Sequence, residues 1–427
     1  MTGDDMFGMN RESRIGRSGV RKVFTPHRPI QSVNLFFGRQ KEVQKLLEQI
    51  NTPGQHALLY GERGVGKSSL ANIATQLLIS KIISGRLYPK QCDSSDTFRS
   101  VVAPVLVDFG VEVDLDSQTK SHKQHGWAGL KIPLAEAGVG SEKTTSNTYR
   151  PRAFTPSVVA EFLRDKLGLL YVDEADRIQS PEDKIALAEF IKLLSDNGSD
   201  FKIIIVGVAE TAEELTGGHP SVQRCLKETY LRRMSDDELE MIISEGARQT
   251  NLNFAPSVVT QIVMLSSGYP HFTHLLALKC AEEAISSSLH VIDPDCLVRA
   301  IHLAVEDADS TLRRTYNEAT RSYNTQMYCT VLKAAAQLGR EEFTASSLRE
   351  KIEEMTKGSI SQGSLNNYLQ RLVSDDFSAI LHRCSKGVYR FSDPRMPSFI
   401  CMANPDDFAG ESPTIGSLGC QPTSRKR

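Results

Sequence analysis

The chain has 427 residues, 40% hydrophobic and 24% charged, and carries a formal net charge of −2. That length is too great for one ordinary core and suggests two or three globular domains, while the near-neutral balance excludes arguing nucleic-acid binding from bulk charge. The eight cysteines include no C-x-x-C pair, no apolar run reaches the roughly 18 residues of a membrane span, and no signal-peptide core opens the chain, so we expect a cytoplasmic protein with reduced thiols, no membrane partner, no zinc site and no disulfide framework.

In chain order, residues 1–30 carry Arg11, Arg14, Arg17, Arg21, Lys22 and Arg28 against Asp4, Asp5 and Glu12, and read as a flexible basic arm. An amphipathic helix follows through Val43, Leu46, Leu47 and Ile50, stopped by Asn51, Thr52, Pro53 and Gly54. Residues 56–60 are a short apolar run suited to a buried strand. Directly after it comes Gly61-Glu62-Arg63-Gly64-Val65-Gly66-Lys67-Ser68, a complete G-x-x-x-x-G-K-[ST] loop, and then helical apolar spacing from Ser69 onward. Strand, glycine turn and helix start are what a phosphate cradle requires, because backbone N–H groups and the helix N-terminus face the anion. Lys67 would reach the β- and γ-phosphates of a nucleoside triphosphate, and the Ser68 hydroxyl would ligate Mg²⁺. Residues 101–108 are expected to form a second buried strand.

Residues 111–155 lose periodicity and read as a long polar insertion. Lys120, His122, Lys123, His125, Lys131, Lys143, Arg150 and Arg152 lie there with Trp127, the only tryptophan. Two readings stay open, a solvated loop and a nucleic-acid contact. After a helix over 157–166, the run Leu169-Leu170-Tyr171-Val172 ends in Asp173-Glu174. Two carboxylates at the carboxyl end of a strand sit where open α/β sheets bind ligands. Asp173 would hold Mg²⁺ through water, and Glu174 would orient and activate the attacking water. A helix over 184–195 and a buried strand over 201–208 complete a pattern of alternating strands and helices, which predicts a doubly wound parallel sheet. Residues 235–305 turn all-helical, opening on a capping box at Ser235, with helices over 256–266 and 273–286. Residues 327–338, 344–355 and 361–374 read as three helices, followed by strands over 379–383 and 387–391. The end of the chain is rich in Pro, Ser and Gly and reads as disordered.

With these motifs the chain resembles the AAA+ P-loop ATPases over roughly residues 33–400. The likeness is greatest to the replication-initiator-like and STAND-like prokaryotic branch, built as ATPase core, helical lid and C-terminal winged helix. The motifs are Phe37-Gly38-Arg39, the phosphate loop, Tyr171-Val172-Asp173-Glu174, Gly207-Val208-Ala209-Glu210, Met234-Ser235-Asp236-Asp237-Glu238, Gly268-Tyr269-Pro270-His271 and Tyr389-Arg390-Phe391-Ser392-Asp393-Pro394. The resemblance implies an α/β P-loop core over 31–230, a helical lid over 231–315, a winged helix over 320–400 and a tail over 401–427. It implies ATP and Mg²⁺ as cofactors, ATP held by Phe37, Gly38, Arg39, Gly61, Glu62, Arg63, Gly64, Val65, Gly66, Lys67, Ser68, Ser69 and His271, and Mg²⁺ at Ser68 and Asp173. Lys67, Asp173 and Glu174 would be catalytic, with Arg224 as an arginine finger on a neighbouring subunit's nucleotide and Arg232 and Arg233 as its competitors. The family's first sensor, usually Asn or Thr, falls at Glu210. A carboxylate beside a γ-phosphate would repel it, which leaves Thr211 as the alternative. His271 takes the second sensor's place, either touching phosphate or packing the lid.

The implied activity is ATP hydrolysis by a homo-oligomeric switch assembled through its ATP sites. Two roles follow from the resemblance. One is DNA-associated, in replication, transposition or antiviral defence, with Gln362, Asn366, Asn367, Gln370 and Arg371 of a recognition helix facing duplex DNA and His382, Arg383, Lys386 and Arg390 facing phosphates. The other is signalling to a separate effector protein.

Overall fold

The computed structural model describes residues 19–81, 85–113, 154–218, 222–322, 325–339 and 342–405. These form two compact units: Arg39–Glu62 with Lys67–Arg232, and the remaining described chain, which includes Arg63–Gly66 and resumes at Arg233.

The first unit is a parallel sheet covered by helices. Its elements are α1 (Gln40–Asn51), β1 (His56–Gly61), α2 (Lys67–Lys81), β2 (Arg86–Gln91), α3 (Phe98–Asp108), α4 (Pro156–Phe162), β3 (Gly168–Asp173), α5 (Pro181–Asp196), β4 (Lys202–Val208), the short α6 (Glu213–Thr216) and β5 (Leu226–Tyr230). All five strands run parallel in the order β2-β3-β4-β1-β5. Strands β1, β3 and β4 are apolar runs because helices cover both sheet faces, as parallel sheets require. Edge strand β2 carries Pro89, which a central strand would not accommodate.

The expected strand over 101–108 is instead helix α3. Thr97 and Ser100 form a capping box at its start. Pro104, Val107 and Asp108 face outward while Val101, Val102, Ala103, Val105 and Leu106 are buried. A continuous apolar run does not separate a buried strand from a buried helix, and here the cap and the three-to-four-residue spacing of exposed positions decide for helix. The insertion expected over 111–155 lies outside the described residues, apart from 111–113 and 154–155.

The second unit begins with a helical stretch over 19–23 whose Val20 and Phe24 are buried, so this part of the expected flexible arm is docked. Helices α7 (Asp236–Thr250), α8 (Pro256–Ser266), α9 (Pro270–Ser286), α10 (Pro294–Asp307) and α11 (Ser310–Thr320) follow, with β6 (Asn253–Phe254) pairing β7 (Val291–Ile292). The capping box at Ser235 forms with Glu238. Helix α9 starts at Pro270, three residues before the expected start, because proline fits a first helical turn whose N–H has no intrahelical partner. The chain then runs through α12 (Met327–Gln337), β8 (Phe343–Thr344), α13 (Ala345–Thr356), α14 (Gln362–Val373), β9 (Leu381–Ser385), β10 (Val388–Phe391) and α15 (Met396–Ala403), with an antiparallel sheet in the order β8-β10-β9. Helix α15 was not foreseen: nearly every residue is buried, so it shows no amphipathic period. The expected disordered tail lies outside the described residues beyond 405. No described helix is long and apolar enough to cross a membrane.

Candidate nucleotide site

Gly61 ends β1 at φ 143°, where a side chain would meet the Leu231 carbonyl oxygen at 2.6 Å. Helix α2 begins at Lys67, so the glycine loop leads straight into a helix N-terminus. Lys67 is 7% exposed. Its Nζ donates to the carbonyl oxygens of Gly61 at 2.9 Å and Glu62 at 2.6 Å. Val65 is buried, while Ser69 in the first turn of α2 is half-buried.

β4 lies between β1 and β3, so the carboxyl ends of β1 and β3 are about 10 Å apart at ordinary strand spacing. Side chains close that gap. Ser68 Oγ donates to Asp173 Oδ1 at 3.2 Å, the Glu174 N–H donates to the same oxygen at 2.9 Å, and Tyr171 Oη donates to Oδ2 at 2.8 Å. Burial, followed by the charge of Asp173, pushes the Tyr171 phenol well above its ordinary value. Glu174 itself adopts the left-handed conformation, φ 54° and ψ 39°. The Arg177 N–H holds the Glu174 carbonyl at 2.9 Å, and the Val208 N–H donates to Asp176 Oδ1 at 2.8 Å, which ties the turn to the end of β4. A hydroxyl and a carboxylate alone suit a hard cation such as Mg²⁺, whose other positions go to phosphate and water oxygens.

The other expected residues are placed as follows. Arg39 is buried, its Nη2 donating to the Arg232 carbonyl. Phe37 is half-buried, and Gly38, at φ 86°, leaves room for Met234, whose Cε would lie 2.6 Å from a side chain there. Arg224 is 69% exposed and ion-paired with Asp196. Arg233 stacks over Tyr269 at 4.8 Å. Glu210 is exposed, and the Thr211 N–H and Oγ1 both donate to Glu214 at 3.3 and 3.4 Å, which engages Thr211 at the start of α6.

In the second unit, His271 Nδ1 donates to the Pro26 carbonyl at 2.9 Å. Burial lowers its basicity. The cation found against the loop tip is Arg395: a side chain on Gly64, at φ 86°, would come 3.1 Å from Arg395 Cδ. Arg395 is itself buried between Asp393 at 2.7 Å and Asp309 at 3.1 Å. The sequence reading missed Tyr171 as a member of the Asp173 constellation and Arg395 as a neighbour of Gly64. Strand alternation puts Tyr171 on the face of Asp173 and could have found it. Arg395 gives no local signal.

A five-stranded parallel sheet that joins a glycine loop and a strand-end carboxylate through Ser68 defines a P-loop nucleoside triphosphatase. Within that class the chain belongs to the novel STAND NTPase 1 family, whose model matches residues 29–279, more than half of the sequence. It is thus a nucleotide-binding protein of the kind that works with a divalent metal. No curated protein sequence matches it. Among solved structures it is similar in fold to the Walker-type ATPase of Pyrococcus abyssi, at 20% identity and TM-score 0.48 over 88% of this chain and 98% of that one. The Aeropyrum pernix ORC2 protein matches at 15% identity and TM-score 0.48 over 90% and 96%. Thermotoga maritima RuvB matches at 14% and 0.42 over 85% and 95%.

Proposed function

We propose that the chain binds ATP with Mg²⁺ and hydrolyses it, working as an oligomeric switch whose most direct output is on DNA. The carrying observation is Asp173, held by Ser68 of the phosphate loop and followed by Glu174 in a fixed left-handed turn. Lys67 would hold the phosphates, Ser68 and Asp173 the metal, and Glu174 the attacking water, with the metal offsetting phosphate charge. The order α12-β8-α13-α14-β9-β10 reads as a winged helix. Its α14 exposes Gln362, Asn366, Asn367 and Gln370, side chains able to read base edges. Arg371 is not part of that face: it stacks on Tyr328 at 4.2 Å and Phe377 at 4.0 Å and donates to the Arg321 carbonyl. His382, Arg383 and Lys386 are exposed along and after β9.

Family membership and the exposed Asp375 and Asp376 after α14 favour the second reading, in which the output is a separate effector protein. The ATPase rate of the parent across salt concentrations, with and without duplex DNA, separates the two. DNA stimulation that falls steeply with salt supports the DNA role. A rate indifferent to DNA moves the output to a protein partner. A parent that hydrolyses no ATP at any protein concentration overturns the reading at its root.

A further inference from the structure

Strand β3 presents Leu169, Leu170, Tyr171 and Val172 to the core, and the Tyr171 hydroxyl is the one polar side-chain atom among them. A buried hydroxyl needs a partner. This one is aimed along its own strand face at Asp173 Oδ2, 2.8 Å away, while Oδ1 is left to Ser68 and the Glu174 N–H. The carboxylate is therefore fixed from both sides, with its plane set so that Oδ1 faces the phosphate-loop hydroxyl. An aliphatic residue would pack in β3 as its neighbours do, so packing does not account for the hydroxyl.

We propose that Tyr171 is a positioning residue for the metal-holding carboxylate: its phenol locks Asp173 in the rotamer that, with Ser68, receives the divalent cation of a metal–nucleotide complex. The inference rests on the reading of Ser68 and Asp173 as the metal side of the site. Without the hydroxyl, Oδ2 loses its donor and the carboxylate is held through Oδ1 alone, so its plane is less tightly set. Metal-dependent affinity then falls, while contacts to the nucleotide alone stay as they were. Groups that orient metal ligands in this way typically change metal affinity by about tenfold or more.

The test is a titration of the full chain with a fluorescent ATP analogue, in Mg²⁺ and in EDTA, for the parent and for Tyr171→Phe, with thermal unfolding of both proteins without nucleotide. The expected result is that Tyr171→Phe binds the analogue as the parent does in EDTA, but loses about tenfold of the affinity that Mg²⁺ adds. Its half-saturating Mg²⁺ concentration rises accordingly, and its melting temperature stays at the parent's. A fluorinated tyrosine at 171, a stronger donor of nearly the same shape, should shift the Mg²⁺-dependent gain the opposite way, and this arm stands even if the phenylalanine variant folds poorly. Equal Mg²⁺ gains in the parent and both variants, or an equal loss in EDTA, would overturn the inference and leave the phenol a packing group. A parent that gains no affinity from Mg²⁺ would overturn the metal-site reading together with it.

Discussion

Glu174 combines two properties that can be separated by substitution. Its carboxylate is the group assigned to the attacking water, and its backbone is left-handed at φ 54°, a conformation that costs a non-glycine residue about 1 kcal/mol. Changing Glu174→Gln keeps the backbone demand and removes the base; nucleotide affinity should match the parent while turnover falls by about a hundredfold or more. Changing Glu174→Gly removes the base and relieves the backbone, so turnover should fall as far while stability to urea rises by up to about 1 kcal/mol. Normal turnover in Glu174→Gln would remove Glu174 as the base, whatever the glycine variant does. The phosphate loop and Asp173-Glu174 could be read from sequence because each is contiguous and carries its chemistry in residue types. The contacts of Tyr171 with Asp173 and of Arg395 with Asp393 and Asp309 depend on where the fold places their side chains, and Arg371, which looks like a DNA-reading side chain in sequence, is stacked between two aromatic rings.

Among the elements, the stretch over 19–27 shows how a basic, arm-like sequence becomes ordered. Phe24 is buried and fits against α7 where Gly246 has no side chain; a Cβ there would meet Phe24 Cε1 at 2.4 Å. The Thr25 N–H donates to Nδ1 of His274 at 3.3 Å, and Pro26 accepts from His271. Two buried apolar residues, the distant His271 and His274, an ion pair of Arg21 with Glu282 and the approach of His27 to Asp307 hold this stretch. Every one of those partners is far away in sequence, so nothing local announces it; α3 and α15 escape a sequence reading for the opposite reason, too many apolar residues to show a period. Burial pushes His274 down to about 4 from the ordinary 6.5. The unfolded chain therefore takes up the proton near pH 6.5 and the folded chain only near pH 4, so this contribution to stability is whole above pH 6.5 and is lost progressively as pH falls toward 4. Protonation at Nδ1 also removes the acceptor for Thr25. Hydrogen-exchange protection of residues 20–25 should drop between pH 7 and pH 4.5 by an amount on the order of 2 kcal/mol, and His274→Phe should flatten that dependence. Protection that does not change with pH would detach His274 from the docking of this stretch.

At the scale of the whole molecule the open matter is which chain completes the site, and the sheet constrains the answer. Arg224 precedes β5, whose first residue Leu226 pairs with His56 at the amino end of β1, whereas the phosphate loop leaves the carboxyl end of the same strand. Six residues of parallel strand span about 20 Å, too far for an arginine to reach its own γ-phosphate. If Arg224 meets a nucleotide, it is one bound by another copy. Its present partner does not prevent this, because the pair with Asp196 is solvent-exposed and such pairs are worth about 1 kcal/mol or less. A head-to-tail oligomer then makes a complementation result available. Lys67→Ala subunits lack a working phosphate site but offer Arg224, and Arg224→Ala subunits have the site but lack the finger. Each alone should hydrolyse almost nothing. Mixed in equal amounts, about a quarter of the interfaces join an intact site to an intact finger, and about a quarter of the parent rate should return. Mixed oligomers verified by sedimentation that recover no activity, or Arg224→Ala protein that hydrolyses at the parent rate alone, would remove Arg224 from the mechanism and leave the trans contact to another side chain.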